Sequence, residues 1–369
     1  MKKAFCSLLV VVLCMMMFST ALGEGASYMR TDISDGDIIV GRTLAPQGYV
    51  VQSNMLYFDG ATMSMTSPVQ LIVDVIAQDG SAEMVYASQM DYIHILEQSI
   101  GGITYGVHQD GALDQTTMCM MLTEMTAGEY ADAMMYRVVP EAVCQSETPV
   151  SAELKAMLDI QCQKSYNEFS GMMGGMGAGM SLEINDVRAS VAERFYSMTL
   201  NGTPCRGVVS TFVNAVEMTM TASMPYGGNN VIRETSWSAP YCYLCIASEE
   251  GFDAVYADFR VFVANTTESD QFVQTRATLS NQIRESILSG RSQSYAQMFA
   301  DDLGSDNSYN EERFTDYIMD QNDYQLSSGE HVKIPTEYEY VYEDGNGGVY
   351  ATDSALDEPA GMSQLTPSH

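Results

Sequence analysis

The sequence predicts an α+β fold with antiparallel sheets, helices packed on one face, and a small hairpin region near the C-terminus. Two patterns predict this class. Apolar runs of strand length are separated by Asp-Gly, Asn-Gly and Gly-Gly turns, which favour antiparallel hairpins. Elsewhere, apolar residues recur at helical spacing after capping residues. Hydrophobic residues make up 46% of the 369 residues, a fraction that is typical of packed cores rather than of a disordered chain.

These patterns divide the chain into six segments. We expect a signal peptide over 1–23, a polar leader over 24–43, an α+β domain over 44–150, a helix with a Gly/Met-rich connector over 151–180, a β-meander with a helix over 181–300, and a helix, Tyr-rich β-hairpin and loose tail over 301–369.

The N-terminal segment has the three parts of a secretory signal peptide. Lys2 and Lys3 precede an apolar run over 4–18, and Ala21-Leu22-Gly23 is a small-x-small cleavage site. The mature chain is therefore predicted to begin at Glu24, outside the cytoplasm of a bacterial cell. The apolar run is shorter than the roughly 20 residues of a membrane span, and no later stretch is longer, so no membrane span is expected after cleavage.

Two alternatives to cleavage remain, an uncleaved anchor and a lipid attached at Cys6 or Cys14. The short apolar run disfavours the anchor. Leu13, directly before Cys14, is too large for a lipidation site.

The chain is strongly acidic. It has 17 Lys and Arg against 48 Asp and Glu, which gives a formal net charge of −31. Loss of Lys2 and Lys3 with the signal peptide would make this charge −33. Such a charge repels nucleic acid and anionic membranes, and it attracts cations or basic partners. A general adaptation for solubility is the favoured interpretation, because charge alone specifies no partner.

In the first domain, the clearest feature is a hairpin. Strands are expected over Gln70–Ala77 and Ala82–Ala87, joined by a turn at Asp79-Gly80, whose residue types tolerate positive φ. A helix is expected around Gln89–Gln98.

Capping residues mark the next helices. Thr126 and Glu129 form a capping box that opens a helix through Arg137. Ser151 starts a second helix whose apolar residues share one face. The five Gly within 170–180 then indicate a flexible connector.

The second half is predicted to be rich in strands, followed by a helix over Ser269–Leu288. These strands are expected over Phe195–Leu200, Val208–Val216, Glu217–Ser223, Tyr241–Ala247 and Ala254–Ala264. Another capping box at 308–311 predicts a helix to about Asp320. Further strands are expected at Tyr324–Leu326, His331–Ile334, Tyr338–Tyr342 and Val349–Thr352, with a hairpin turn at 344–347 and a loose tail over 354–369.

A short internal echo leaves open whether the chain holds two related sandwich-like halves. Residues 76–79 with 85–87 match 246–249 with 255–257 at a constant offset of 170. Both copies are interpreted as a hairpin with an acidic turn. The matched residue types are common ones, so coincidence remains the alternative.

One family resemblance follows from these elements. The Ala45-Pro46-Gln47-Gly48-Tyr49 entry, the Asp-Gly hairpin, the later meander and the terminal helix are similar to PsbP/Mog1-type α/β/α sandwich domains. Over about 44–290, the pattern also resembles uncharacterised exported bacterial proteins that add a Tyr-rich C-terminal hairpin. The resemblance implies a binding or assembly module. It implies no catalytic residues, because such domains share none.

No catalytic motif is found in the sequence. The four His are His94, His108, His331 and His369, and none has HExxH or HxH spacing, which disfavours a dedicated zinc or iron site. GxSxG, Walker and GxGxxG motifs are also missing from the sequence. We therefore expect no catalytic residues and no cofactor.

Six Cys follow the signal peptide, which permits three disulfides in 15 pairings. They are Cys119, Cys144, Cys162, Cys205, Cys242 and Cys245. The CxxC of Cys242 and Cys245 lies in a strand-like run, where residues three apart point to opposite faces. This geometry disfavours a redox dithiol or a shared zinc, and buried structural Cys is the favoured interpretation.

Two weak metal candidates remain. Met172, Met173, Met176 and Met180 lie in the Gly-rich connector, and thioethers select Cu(I). A flexible linker in a Met-rich chain is the alternative. Acidic residues over 301–312 and at Asp344 could bind Ca²⁺, but Arg313 stands where an EF-hand needs a bidentate Glu. A helix N-terminus and a hairpin turn explain these two acidic groups equally.

Tyr338, Tyr340 and Tyr342 alternate along a predicted strand and therefore share one sheet face. Such a row could bind peptide or glycan, or it could cover a core.

The leading hypothesis is an exported non-enzymatic protein that acts in binding or assembly, with a protein, peptide or glycan partner. A metal-handling protein is the second hypothesis, and a hydrolase built from dispersed carboxylates is the third.

Overall fold

The computed structural model describes residues 26–35, 38–57, 67–114, 119–172, 180–223, 228–289, 321–335, 338–354, 357 and 359–367. Its strands are β1 (Ala26–Asp35), β2 (Ile38–Pro46), β3 (Tyr49–Tyr57), β4 (Val69–Ala77), β5 (Ala82–Ile100), β6 (Ile103–Tyr105), β7 (Met120–Met121), β8 (Val143–Glu147), β9 (Met180–Leu200), β10 (Thr203–Ser223), β11 (Asn229–Ser248), β12 (Thr267–Glu268), β13 (Gln321–Gln325), β14 (His331–Pro335), β15 (Tyr340–Glu343), β16 (Gly348–Thr352) and β17 (Ser363–Leu365). Its helices are α1 (Ala127–Val138), α2 (Ala152–Met172), α3 (Phe252–Asn265) and α4 (Asp270–Ser289).

These strands form two larger sheets and one hairpin. The large sheet has the order β3-β4-β5-β11-β10-β9-β8, and β6 and β7 also pair with β5. The small sheet has the order β12-β2-β1-β16-β15-β17, and β13 pairs with β14. Neighbouring strands are antiparallel except for the short parallel pair β5–β7. The α+β class with antiparallel sheets is confirmed.

The chain passes from the small sheet to the large one at the Ala45–Tyr49 motif. Pro46 ends β2 opposite Tyr28, and Tyr49 begins β3 opposite Ala77. Between them, Gly48 has φ of +89°, a conformation that glycine adopts without steric cost. The motif therefore connects the two sheets.

Helices lie on both faces of the large sheet. In β9, Arg194 donates to Asp132 of α1 over 2.6 Å. The preceding residue, Glu193, accepts from the hydroxyl of Tyr256 in α3 over 2.9 Å. Successive residues of a strand point to opposite faces, so α1 and α3 cover opposite faces. The expectation that the helices pack on one face is therefore not confirmed.

Helix α3 packs between the two sheets and contributes to both cores. Phe259 and Phe262 are buried in the main core of the large sheet. Val261 is buried with Tyr28 and Leu44 in the core of the small sheet. One helix thus joins the two cores.

The strongest local predictions are confirmed. Asp79 and Gly80 form the turn between β4 and β5, and the Asp79 carboxylate accepts from the Ser81 N–H over 2.9 Å. At α1, the Thr126 hydroxyl accepts from the Glu129 N–H, and Glu129 accepts in return from the Thr126 N–H over 2.8 Å.

Two predicted elements have the wrong type. The helix expected over Gln89–Gln98 is part of β5, and the strand expected over Ala254–Ala264 is α3. Both segments are buried on more than one side. Apolar residues then occupy most positions, so the period that separates a helix from a strand is weak.

The internal echo does not mark a repeated hairpin. Residues 76–87 form the β4–β5 hairpin, whereas 246–248 end β11, 249 lies in the turn after it, and 255–257 lie in α3. Whether the two halves are related stays a prediction.

The predicted leader and tail both contain strands. β1 and most of β2 lie within 24–43, and β17 lies within 354–369 and pairs with β15. The other predicted boundaries between segments stay predictions. The signal peptide and the helix expected over 308–320 lie outside the described residues. Within the ranges given above, none of the helices is both long and apolar enough to cross a membrane.

Candidate functional site

Four adjacent strands of the large sheet extend well beyond β4 and β8, the strands that flank them. β5, β9, β10 and β11 are 19, 21, 21 and 20 residues long. β4 pairs with β5 only up to Ala87, and β8 pairs with β9 only over 194–197. We call the extension that these strands form with β6, residues 97–105, 181–184, 218–222 and 230–233, the open end of the sheet.

One face of the open end is largely apolar. Residues directly opposite each other in antiparallel strands share a face. Pairing places five residues in one row across the sheet: Leu182, Met220, Ile232, Gln98 and Tyr105. In the adjacent row on the same face, Ile100 lies opposite Ile103.

The other face of the open end is polar. The register places Glu183, Thr219, Arg233 and Glu97 in one row across four strands. Thr104, between Ile103 and Tyr105 in β6, points to this polar face. The open end is thus an amphipathic sheet.

The apolar face is accessible at its β6 side. Ile103 is 62% exposed, Tyr105 44% and Ile100 37%. Among the described strands, β6 pairs only with β5, so its outer edge also presents backbone N–H and C=O groups. Exposed apolar area beside a free strand edge is typical of sites that bind another polypeptide.

The segment after β6 wraps the edge of β5. We call its described residues, 106–114 and 119–126, the strap. Met120 and Met121 of the strap form β7, parallel to Tyr92 and Ile93 of β5. The Leu122 N–H donates to the Ile93 carbonyl over 3.0 Å. The strap therefore occupies the edge of β5 that β4 leaves uncovered.

Two histidines hold the strap. The Ile95 N–H donates to Nδ1 of His108 over 3.3 Å, and the Glu124 N–H donates to Nδ1 of His94 over the same distance. The two ring centroids lie 4.7 Å apart. His108 Nε2 lies 2.9 Å from the Asp110 carboxylate. Sequence reasoning left both histidines without a role, because they meet only through the fold.

The strap is also bonded to the face of the sheet. The indole N–H of Trp237 donates to the Leu122 carbonyl over 2.9 Å. Arg188 of β9 makes a bidentate contact with Glu124, with distances of 2.9 and 2.7 Å. Charge-assisted bidentate contacts of this kind fix geometry.

A buried carboxyl lies near Asp114, in the first of the two described parts of the strap. Glu234 of β11 is 6% exposed. Burial raises the pKa of Glu234 to about 7, and the negative charge of Asp114 in the strap adds to the shift.

The predicted tyrosine row does not form an open surface. Tyr338 and Tyr342 are only 2% and 4% exposed, and Tyr338 lies in the core of the small sheet. Tyr340 remains accessible, and its hydroxyl donates to Glu339 over 3.2 Å. The alternative that the row covers a core fits this placement.

The metal candidates stay predictions. Met172 lies at the end of α2 and Met180 at the start of β9, while Met173 and Met176 lie outside the described ranges, as do the acidic residues over 301–312. The Asp344 carboxylate accepts from the N–H groups of Asn346 and Gly348, as a hairpin turn requires. In the described part of the chain, no three or more His, Cys, Asp or Glu residues group in a way that could hold a metal ion.

In the described part of the chain, Cys144, Cys162, Cys205, Cys242 and Cys245 are not joined in disulfides. Cys242 and Cys245 lie in β11, 4% and 0% exposed. Burial raises the pKa of the Cys242 thiol to about 12, which keeps it protonated and unreactive.

Comparison with family models, with curated proteins and with solved structures found no match. The resemblance to PsbP/Mog1-type domains stays a prediction.

A separate buried acid should make stability depend on pH. Asp258 of α3 accepts from the Tyr28 hydroxyl over 3.1 Å. Burial raises the pKa of Asp258 to about 6. Folding therefore favours the protonated acid, and the cost of its ionisation is absent below about pH 4 and complete above about pH 6.

We expect Asp258→Asn to raise the free energy of unfolding at pH 8 by about 1–3 kcal/mol, because the amide can still accept from Tyr28. Near pH 4 the gain should vanish. Urea denaturation at both pH values measures it. Asp253→Asn on the same helix is the control, since that side chain is 77% exposed. An equal effect of Asp258→Asn at both pH values would contradict this assignment.

Proposed function

We propose that this is an exported, non-enzymatic protein that acts in binding or assembly outside the cytoplasm, and that a partner polypeptide docks on the open end of the large sheet. The observation that carries the proposal is the apolar face over Ile100, Ile103 and Tyr105, which lies beside the free edge of β6. The N-terminal signal pattern supports the location.

A polypeptide fits this surface better than a glycan. The accessible side chains are mainly branched aliphatic ones, which favour apolar contacts over sugar stacking. The edge of β6 offers backbone donors and acceptors in the spacing that an added strand uses. The acidic chain, with a formal net charge of −31, further favours a partner that carries basic residues around its apolar contact.

Photo-crosslinking in the exporting cell tests this proposal. A photoreactive residue at position 103 should give a discrete adduct outside the cytoplasm, on a chain that begins at Glu24. Adding Tyr105→Lys should reduce the adduct by at least about tenfold, because a charge buried in an apolar contact costs more than the roughly 1.4 kcal/mol that a factor of ten requires.

The matched control places the same photoreactive residue at position 104. This position is also exposed but lies on the polar face of the same strand, so it should give no such adduct. Equal adducts at 103 and 104, or none at either, would refute the docking surface. Adducts found only on an unprocessed chain inside the cell would refute the export.

A further inference from the structure

The strap is attached to the sheet through nitrogen atoms that can accept a proton. His94 and His108 each accept a backbone N–H with Nδ1, from Glu124 and Ile95 respectively. A ring nitrogen accepts a hydrogen bond only while it is unprotonated, and both nitrogens of a charged imidazole are donors. Protonation of either ring is therefore incompatible with its bond to the backbone.

The groups around His94 shift its pKa in both directions. Burial lowers the pKa of His94, and the neighbouring His108 lowers it further, while Glu124 and Asp110 act in the opposite direction. Glu124 is itself paired with Arg188, which weakens its influence on His94. With ring centroids 4.7 Å apart, two charged imidazoles would also repel each other.

Asp110 joins the two described parts of the strap. Its carboxylate contacts His108 Nε2 and accepts from the Thr123 N–H over 2.6 Å. At the first of these parts, Asp114 and Glu234 repel each other when both are ionised. Protonation of Glu234 near pH 7 removes this repulsion and so stabilises the closed strap. Protonation of the histidines has the opposite effect.

We infer that the strap is an acid-sensitive latch: protonation of His94 and His108 breaks the bond of His108 to Ile95 and the bond of Glu124 to His94, and releases the strap from the edge of β5. Release exposes the edge of β5 at 92–95 and removes the Leu122 carbonyl from Trp237. The inference stands on the histidine geometry and does not depend on the proposed docking surface.

The direction with pH follows from the His94 environment. An open strap returns His94 to water, where its pKa is near the ordinary value of 6.5. The open state thus binds the proton more tightly than the closed state. Through His94, the closed strap is favoured above about pH 6.5 and loses stability as the pH falls, by up to about tenfold in the opening equilibrium per pH unit.

The chain contains its own reporter, because Trp237 is its single tryptophan and is 1% exposed. Between pH 8 and pH 5 we expect a red shift of tryptophan emission with unchanged far-UV circular dichroism. Hydrogen exchange, corrected for the intrinsic effect of pH, should lose protection at the amides of Ile95 and Glu124, and the amides of β10 should keep theirs.

The double variant His94→Asn/His108→Asn places a non-titrating oxygen at the position of each Nδ1. It should keep the neutral-pH emission at pH 5. His331→Asn is the matched control, because that histidine contacts Asp323 in the β13–β14 hairpin and should leave the acid shift intact. Glu234→Gln should also retain the shift.

Three results would overturn the latch. One is unchanged protection of Ile95 and Glu124 in the unmodified protein at pH 5, a measurement that needs no variant to fold. Another is an acid shift of equal size in the double Asn variant. The third is loss of the circular dichroism signal together with the emission change, which indicates global unfolding.

Discussion

Arg276→Met is expected to lower the free energy of unfolding by about 3–5 kcal/mol. The guanidinium of Arg276 in α4 donates to Glu268 over 3.0 Å, and the two side chains are only 6% and 8% exposed. The Tyr86 hydroxyl donates to the same carboxylate oxygen over 3.0 Å. Methionine preserves most of the buried volume, so the main consequence is a buried carboxylate that has lost its cation. Urea denaturation measures the loss.

The control for Arg276→Met is the double variant Arg276→Met/Glu268→Gln, which removes both charges and should recover a large part of the loss. Arg233→Met supplies the exposed comparison. Arg233 pairs with Glu217, and the Arg233 side chain is 50% exposed. Exposed pairs of this kind contribute about 0–1 kcal/mol to stability. If Arg276→Met cost no more than Arg233→Met, the ion pair between α4 and β12 would not be buried in solution.

The parts of the fold that sequence predicts best are those set by chemistry within a few residues. The Asp79-Gly80 turn needs positive φ, and the Thr126–Glu129 box satisfies backbone N–H groups at the start of α1. Both requirements are met by residues adjacent in the chain, so the residues themselves indicate the structure.

Elements buried on several sides were harder to predict. In β5, Tyr92 lies against α1 through Tyr130, while Ile93 and Ile95 form a separate cluster with Met121. In α3, consecutive apolar residues serve two different cores. Because such segments lack one polar face, the apolar residues do not show a clear period.

The candidate site, too, could be predicted from the sequence only in part. Alternation within single strands, such as Ser181-Leu182-Glu183-Ile184, is visible in the sequence and indicates an amphipathic sheet. Which strands lie side by side depends on register over more than 100 residues, which the sequence does not show. The meeting of His94 with His108, and of Glu124 with Arg188, depends on that register too.

Trp237→Ala is expected to cost about 3–5 kcal/mol of unfolding free energy. Trp237 is fully enclosed, with its ring stacked on Tyr92 at a centroid distance of 4.4 Å and Tyr130 edge-on at 6.0 Å. Truncation removes the largest side chain of this cluster and leaves a cavity between β5, β11 and α1. Thermal and urea denaturation followed by circular dichroism measure the effect without the missing fluorophore.

Trp237→Phe separates the packing of this side chain from its hydrogen bond to the strap. Phenylalanine keeps an aromatic ring against Tyr92, so most of the packing energy should remain. It cannot donate to the Leu122 carbonyl, and a lost hydrogen bond costs about 1–3 kcal/mol when its partner stays buried. Because Leu122 belongs to the strap, we expect hydrogen exchange to increase over 119–126 more than in β10. Equal increases in both regions would mean that the indole N–H stabilises the whole sheet rather than the attachment of the strap.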